Sequence, residues 1–455
     1  MRLDDLTSNL QSAEARVSAR HPRGLYYLAF TEMWERFSFY GMSALLTLYM
    51  VKDLLRPPHA GAVVGLAPLR HVFEFSGPIS DVAFASLIYG LYAGLVYFTP
   101  LLGGWVADRV LGARRTVMIG ALLMSAGHIA MSFYTSFLGS LVLLILGSGF
   151  LKGNISGQVG ALYPSEAESM RSRGFILFSV GINIGAAGGP LVTGLAAGIW
   201  GWHVGFAIAA ALMLVALAVY AVGLPHLPDD RPRARTDAPA NPLTPAERRR
   251  VAVLFGVIAL TIPSEIAYPM VWSIGILWVD KYVALATPLG LMPSSWFASF
   301  DSLGSIIFAP VVVALWAWQA RRSSEPTSVT KIGLGPVIIA VAALLFVTGE
   351  WLAPRLDHVA VFWAVAGYLL MGLAWLFYWP TLLALVSRAA PVQVRSRMMG
   401  AAFLSPFVAH TLAGMIGTNF DKMRPDSFWL MDAGIALVGA ALILGLRQML
   451  TRALR

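Results

Sequence analysis

The chain has 455 residues, of which 57% are hydrophobic and only 13% are charged, and its formal net charge is +9. Soluble domains carry about 25% charged residues, so this composition excludes a soluble globule and predicts a protein that crosses a membrane many times. Cysteine is absent, which excludes disulfides and thiolate metal sites. We expect no nucleic-acid partner, because the excess basic residues gather in alternate loops between apolar runs.

Apolar runs long enough to cross a bilayer recur along the whole chain. Twelve are predicted, near residues 25–51, 82–106, 116–134, 137–162, 173–199, 202–223, 250–280, 293–320, 332–353, 358–387, 396–418 and 428–448. Basic residues precede the first run and follow every even-numbered run, and such loops stay on the cytoplasmic side. The pattern therefore predicts an all-α integral protein of the cytoplasmic (inner) membrane, with both termini in the cytoplasm.

A proline-rich, charged stretch divides these runs into two sets of six. We expect a cytoplasmic segment at 1–24, a six-helix bundle at 25–223, a cytoplasmic linker at 224–249 and a second six-helix bundle at 250–450. The long loop 52–81 is expected on the external side. Two bundles of six transmembrane helices resemble the major facilitator fold, in which the transport site lies near the midplane between the halves.

Three ionisable residues lie inside the first apolar run. Glu32, Glu35 and Arg36 share one helix face by their spacing, and Tyr40 extends it. Each charge near a bilayer centre costs roughly 2.5–3.5 kcal/mol, so the face is predicted to line a polar cavity. Lys152 lies inside the fourth run and needs an acidic partner or a wet cavity. The alternative is a static buried ion cluster that fixes helix register.

The loop between the second and third runs carries glycines and charges in the order Gly-Gly-Trp-Val-Ala-Asp-Arg-Val-Leu-Gly-Ala-Arg-Arg, from Gly103 to Arg115. It resembles the cytoplasmic loop motif of major facilitators. The resemblance implies a gating loop that includes Asp108, Arg109 and Arg115, in which Asp108 caps the helix or pairs with Arg115. The alternative is a charged loop that only sets topology.

Six stretches carry a more specific resemblance. They are Glu-x-x-Glu-Arg-Phe-x-x-Tyr-Gly at 32–41, the Lys-Gly-Asn block at 150–163, the glycine-rich block at 174–186, and the shorter blocks at 201–206, 293–297 and 398–400. Together they are similar to the proton-dependent oligopeptide transporter family. The resemblance implies a symporter that couples di- and tripeptide entry to proton flow. It implies proton coupling by Glu32, Glu35, Arg36 and Lys152, and a substrate cavity lined by Tyr40, Tyr97 and Asn183.

The chain departs from the family pattern in the expected substrate site. Ser43 stands where an arginine is usual, and Pro269 and Trp375 stand where glutamates are usual. Glu265 and Asp301 are candidate replacements that could pair with Lys152 or bind a substrate ammonium. The alternatives are an Asp301 held by neighbouring serines and a Glu265 near the cytoplasmic end. Further candidate substrate-binding residues are Trp296, Trp375 and His410, although a histidine there could simply be packed.

Aromatic residues around Trp375 could hold an ammonium by cation–π attraction, or could form an apolar pocket for a bulkier or modified substrate. They could also be interfacial or lipid-facing residues. Pro263 and Pro269 are expected to kink the seventh span, and Pro380 the tenth.

The sequence thus favours a proton-coupled symporter of di-/tripeptides or peptide-like compounds that works by alternating access. One alternative is a related importer or exporter of a non-peptide or modified amino-acid solute; another is a non-transporting membrane receptor. We expect no enzyme, cofactor or metal site, since the sequence has no nucleophile–base pair, metal cluster or phosphate loop. The expected partners are a small-molecule substrate, protons and the lipid bilayer, and the expected state is a monomer.

Overall fold

The computed structural model of the protein describes residues 21–75, 77–164, 168–228, 242–288, 290–355 and 357–454. Two predicted segments lie largely outside these ranges: residues 1–20 of the expected N-terminal segment and residues 229–241 of the expected linker. The helices of the first half are α1 (Arg23–Tyr49), α2 (His59–Ala62), α3 (Leu66–Phe73), α4 (Asp81–Val106), α5 (Ala113–Ala130), α6 (Phe137–Ala161), α7 (Glu168–Trp200) and α8 (Trp202–Gly223).

The helices of the second half are α9 (Pro245–Ala267), α10 (Ile274–Tyr282), α11 (Phe297–Arg321), α12 (Ser328–Leu352), α13 (Val361–Ala389), α14 (Arg395–Gly417) and α15 (Pro425–Ala453). One small antiparallel hairpin, β1 (Ala286–Thr287) with β2 (Gly290–Leu291), follows α10. The prediction of an all-α membrane protein with this succession of long helices is confirmed.

Ten helical stretches of the described residues are long and apolar enough to cross a membrane. The two other long helices, α1 and α5, coincide with the first and third predicted runs. Both carry charges that lower their hydropathy, since α1 contains the Glu32–Arg36 cluster and the first residue of α5 is followed by two arginines. The charges that suggest function are therefore the same ones that weaken the membrane signal.

The seventh span is a broken helix. α9 gives way to a 3₁₀ stretch at Tyr268–Trp272, and α10 continues after it. Pro269 lies in the 3₁₀ stretch, at the break, whereas Pro263 lies within α9, which continues as α-helix to Ala267. The helix begins at Pro245 because Thr244 and Glu247 form a reciprocal capping box, so it starts a few residues before the expected bundle boundary.

Each half packs mainly within itself. α1 packs on α7 and α8 and α5 on α6, while α12 packs on both α13 and α15. The halves meet along two helix pairs, α4 with α14 and α7 with α11. In the first pair glycines allow backbone contact, since a Cβ built on Gly90 would lie 2.6 Å from the Cα of Gly414.

The two halves are joined by polar contacts at the end predicted to be external. Lys52, just after α1, contacts Asp280 at the end of α10, with 2.6 Å between Nζ and the carboxylate oxygen. Ser80, at the start of α4, donates to Asp421 at 2.6 Å. These contacts hold the halves together at the end of the molecule opposite the start of α1 and the end of α15.

Candidate functional site

A cavity of about 660 Å³ lies between the two halves and draws its wall from both. Most of the residues singled out in the sequence lie in that wall: Glu32, Arg36, Tyr40, Tyr97, Lys152, Asn183, Glu265, Asp301, Trp375 and His410. They come from α1, α4, α6 and α7 on one side and from the broken seventh span, α11, α13 and α14 on the other. The cavity is therefore an inter-bundle site near the middle of the molecule.

The first helix contributes a compact ion cluster to this wall. Arg36 Nε lies 3.1 Å from Glu32 Oε1 and 2.5 Å from Glu35 Oε2, although neither contact has hydrogen-bond alignment. Glu35 is fully buried behind the wall, whereas Glu32 and Arg36 face the cavity. With two carboxylates and one guanidinium in contact, a change of charge on either glutamate alters what holds Arg36 in place.

Lys152 lies in the cavity wall, one of the two environments that the sequence left open, and meets aromatic rings rather than an acidic partner. Its Nζ lies 4.3 Å from the ring centroid of Phe39 and 5.5 Å from that of Tyr97. Among the described residues, no carboxylate oxygen lies within 4.0 Å of Nζ. Such cation–π contacts are worth roughly 0.5–2 kcal/mol, less than a well-formed buried ion pair, so the ammonium remains available to an anionic ligand.

Asp301 supplies a carboxylate from the opposite half. Its Oδ2 accepts hydrogen bonds from Tyr268 Oη at 2.7 Å and from Trp272 Nε1 at 2.9 Å, while Oδ1 is buried without a hydrogen-bond donor in the described residues. The alternative in which neighbouring serines hold Asp301 is wrong, because both donors belong to the 3₁₀ stretch of the seventh span. The break in that span thus positions the carboxylate.

Glu265 is a second carboxylate of the same half. Thr261 Oγ1 donates to its Oε1 at 3.1 Å, and Oε2 has no hydrogen-bond donor within the described chain. It lies twenty residues after Pro245, about 30 Å along the axis of α9 at 1.5 Å per residue. The alternative that placed Glu265 near the cytoplasmic end is therefore wrong, since it lines the central cavity.

The aromatic cluster predicted around Trp375 is divided in the structure. Trp375, Tyr378, Trp379 and Trp272 line the cavity, whereas Phe377 packs against Trp316 with ring centroids 5.5 Å apart. His410 combines packing with cavity exposure. Its Nδ1 lies 2.8 Å from the Pro406 carbonyl oxygen, and its ring lies 5.0 Å from that of Tyr97.

Trp296, expected to bind substrate, lies away from the cavity wall. Its Nε1 donates to the Leu191 carbonyl at 2.9 Å, so it ties the second half to α7. The structure therefore corrects its expected position from the cavity to the contact between the halves.

The expected gating-loop pair does not form. Asp108, Arg109 and Arg115 are exposed, and within the described residues Asp108 has no ion pair with either arginine. The neighbouring Arg114 instead donates to the Leu227 carbonyl, after α8. The loop therefore contacts the segment that follows α8 through Arg114, which was not among the predicted gating residues.

Several wall residues were missed from sequence, among them Phe39, Tyr89, Tyr92 and Tyr268. Phe39 had a usable signal, since it lies three residues after Arg36 on the same helix face. Tyr89 and Tyr92 had none, because aromatic residues in an apolar run do not show from sequence which face they occupy.

Known proteins resemble this chain over nearly its whole length. A family profile described as the Major Facilitator Superfamily matches residues 28–418. The chain is 28% identical to "Uncharacterized transporter YclF" of Bacillus subtilis, over 99% of each chain. It is also 28% identical to a di-/tripeptide transporter of Lactococcus lactis subsp. cremoris, over 94% of this chain and 95% of the relative. A crystal structure of a POT peptide transporter mutant with alafosfalin is 27% identical, with a TM-score of 0.82 and coverage of 96% and 97%.

Proposed function

Since the chain belongs to the major facilitator superfamily, we propose that it is a proton-coupled symporter for di-/tripeptides or peptide-like compounds. The observation that carries the proposal is the charge arrangement of one cavity, in which Arg36 and Lys152 of the first half face Glu265 and Asp301 of the second. A zwitterionic solute has one anionic and one cationic end. Cations on one wall and carboxylates on the other complement such a solute.

Proton coupling is assigned to the cluster on α1. While both glutamates are ionised, they hold Arg36 through the 3.1 Å and 2.5 Å contacts. Protonation of one of them removes part of that attraction, so Arg36 and the cavity-facing Lys152 can bind a substrate carboxylate. Release of the proton favours the ion cluster again and weakens substrate binding. Proton movement and substrate movement are thereby linked thermodynamically.

Substrate movement is assigned to alternating access between the two bundles. The external end is closed by the Lys52–Asp280 and Ser80–Asp421 contacts. The cavity wall includes Leu101, near the end of α4, and Met399, near the start of α14. Both lie toward the side of the molecule away from the closed external end. The broken seventh span is a point at which part of the second bundle can bend while the rest stays packed.

The same proposal includes the protein's location, domain boundaries, oligomeric state and partners. The positively charged loops favour a cytoplasmic (inner) membrane protein with both termini in the cytoplasm. The two bundles are proposed as residues 25–223 and 250–450, joined by a cytoplasmic linker. We propose a monomer that uses protons and a small-molecule substrate, with no catalytic activity, cofactor or metal.

Uptake by proteoliposomes under an imposed proton gradient tests this function. We expect dipeptides to accumulate when the outside is acidic. Glu35→Gln should lower accumulation at least tenfold because it removes one charge of the ion cluster on α1, and Lys152→Gln should do so because it removes a cavity cation that binds the substrate carboxylate. Exchange of labelled for unlabelled substrate without a gradient should persist in Glu35→Gln, since the cavity remains. Lys422→Gln, at an exposed lysine of the external side, is the matched control. Normal accumulation in both coupling variants would refute the proposal.

A second candidate substrate class has specific support. Ser43 replaces the usual arginine in the wall, and Trp272, Trp375 and Trp379 give that wall a large aromatic surface. These features suit a bulkier or modified amino-acid compound better than a small dipeptide. Competition of labelled dipeptide uptake by unlabelled dipeptides and by modified amino-acid compounds separates the two classes. Absence of proton movement with every compound in the panel would favour a receptor that has kept the fold.

A further inference from the structure

A second cavity, of about 550 Å³, lies away from the central one, at the face of the molecule where the chain's last helix ends. It is enclosed by the beginnings of α9 and α12 and by the last turns of α13 and α15. We name it the end pocket and define it by Arg250, Glu325, Thr327, Lys331, Arg388 and Thr451. The transport proposal makes no use of these residues.

Three cations converge on the end pocket. Lys331 is buried, with 8% of its surface exposed, and its Nζ lies 3.7 Å from the ring centroid of Trp316. Arg388 is exposed and reaches Ser328 Oγ at 3.4 Å. Arg250 comes from the second turn of α9. Among the described residues of the wall, Glu325 is the one acid, and its Oε1 lies 2.5 Å from Lys331 Nζ.

The pocket also presents neutral donors. Thr327 caps α12 by accepting from Thr330 N at 3.3 Å, which leaves the amides of Ser328 and Val329 in the first turn without an intrahelical acceptor. The hydroxyls of Thr327 and Thr451 lie 3.5 Å apart on the same wall. Three cations, hydroxyls and first-turn amides around one cavity are the donor set that a phosphate group requires.

We infer that the end pocket binds a phosphate group, and that its source is the headgroup of an anionic phospholipid. The position supports a lipid, because the wall is made of transmembrane helix ends and includes the apolar Leu385, Ala389 and Leu454. Basic pockets between membrane helices at the cytoplasmic surface take anionic headgroups. Because Glu325 is partly exposed and contacts Lys331, the arriving phosphate competes with it for the lysine.

Native mass spectrometry of the purified full-length protein, titrated with phosphatidylglycerol and with phosphatidylcholine, tests this inference. We expect tighter binding of phosphatidylglycerol. Arg388→Gln should weaken that binding about fivefold, and Arg250→Gln and Arg388→Gln together by more, given the usual contribution of a basic residue near a charged lipid. Glu325→Gln should strengthen it, because the competing carboxylate charge is removed. This opposite sign separates site binding from a loss of folding.

Arg173→Gln is the matched control, since it removes an exposed arginine near the start of α7 in the other bundle. A parallel titration with inorganic phosphate in detergent distinguishes the two sources of the group. Phosphate binding with the same dependence on Arg388 and Glu325, without a preference for the anionic lipid, would retain the site and overturn the lipid assignment. Equal weakening by Arg173→Gln and Arg388→Gln, or no effect of Glu325→Gln, would overturn the inference. None of these outcomes depends on transport.

Discussion

Asp301 has one oxygen held by Tyr268 and Trp272 and a second oxygen without a donor in the described residues. An Asp301→Asn variant keeps the shape of the side chain but removes its charge. We expect KM for dipeptides with a free amino group to rise about tenfold or more, because a hydrogen bond to a charged group is worth about 1.5–3 kcal/mol. Initial uptake rates over a range of substrate concentrations measure the change.

N-acetylated dipeptides provide the internal comparison for Asp301→Asn, since they lack the ammonium and should respond much less. Asp357→Asn, at an exposed residue between α12 and α13, is the control for the substitution itself. Equal losses for free and acetylated substrates would show that Asp301 does not bind the amino group. In that case Glu265, whose Oε2 is also buried without a donor in the described chain, becomes the candidate to test.

At single residues, sequence reasoning located charges better than it paired them. Glu32, Arg36, Lys152, Glu265 and Asp301 could be singled out because a charge in an apolar span needs a polar environment. Their contacts could not be predicted, because they depend on side chains from other helices. Lys152, for which the sequence left an acidic partner or a cavity open, lines the cavity and meets Phe39 and Tyr97.

Among the helices, the crossing of α4 and α14 offers the sharpest test. Gly90→Ala would place a Cβ 2.6 Å from Gly414 Cα and from the His410 carbonyl oxygen, both of them backbone atoms. The two helices must separate to accommodate it, so we expect a lower population of the state closed at the proposed external end. Because the chain has no native cysteine, spin labels on cysteines introduced at Gly61 and Leu291 can report the separation of the halves.

The same helix supplies the control for Gly90→Ala. A Cβ on Gly104 would meet no atom within 4 Å, so Gly104→Ala should leave the distance distribution unchanged. Similar distributions for Gly90→Ala and the parent protein would show that this crossing does not set the closed state.

The helices themselves were largely predictable, because apolar runs and basic loops follow directly from the properties of the bilayer. The prolines also predicted the break in the seventh span. The helices α2 and α3 within the predicted external loop were not foreseen, since four and eight residues are too few to show a periodicity. In that loop Arg70 contacts Glu74 at 3.0 Å and Asp81 at 2.8 Å, contacts that only the folded chain reveals.

For the molecule as a whole, the sequence indicated two bundles and a site between them but not which end is closed. Closure depends on weak contacts between distant parts of the chain, such as Ser80 with Asp421, and these leave no local pattern. Several such contacts acting together can set the balance between states that differ by a few kcal/mol.

The Lys52–Asp280 pair allows this balance to be measured. Its side chains are 42% and 20% exposed, so the pair is worth at most about 1 kcal/mol. Lys52→Ala should therefore raise the ratio of open to closed molecules at the proposed external end by no more than about fivefold. Asp280→Ala should have a similar effect, because it removes the same contact, and the hydrogen bond that Ser294 donates to that carboxylate at 3.0 Å lies within the second half. The double variant should open the end no more than Asp280→Ala alone, since both changes remove the same contact. Distances between labels at Gly61 and Leu291 provide the measurement, and strictly additive effects would mean that the two residues close the external end independently of each other.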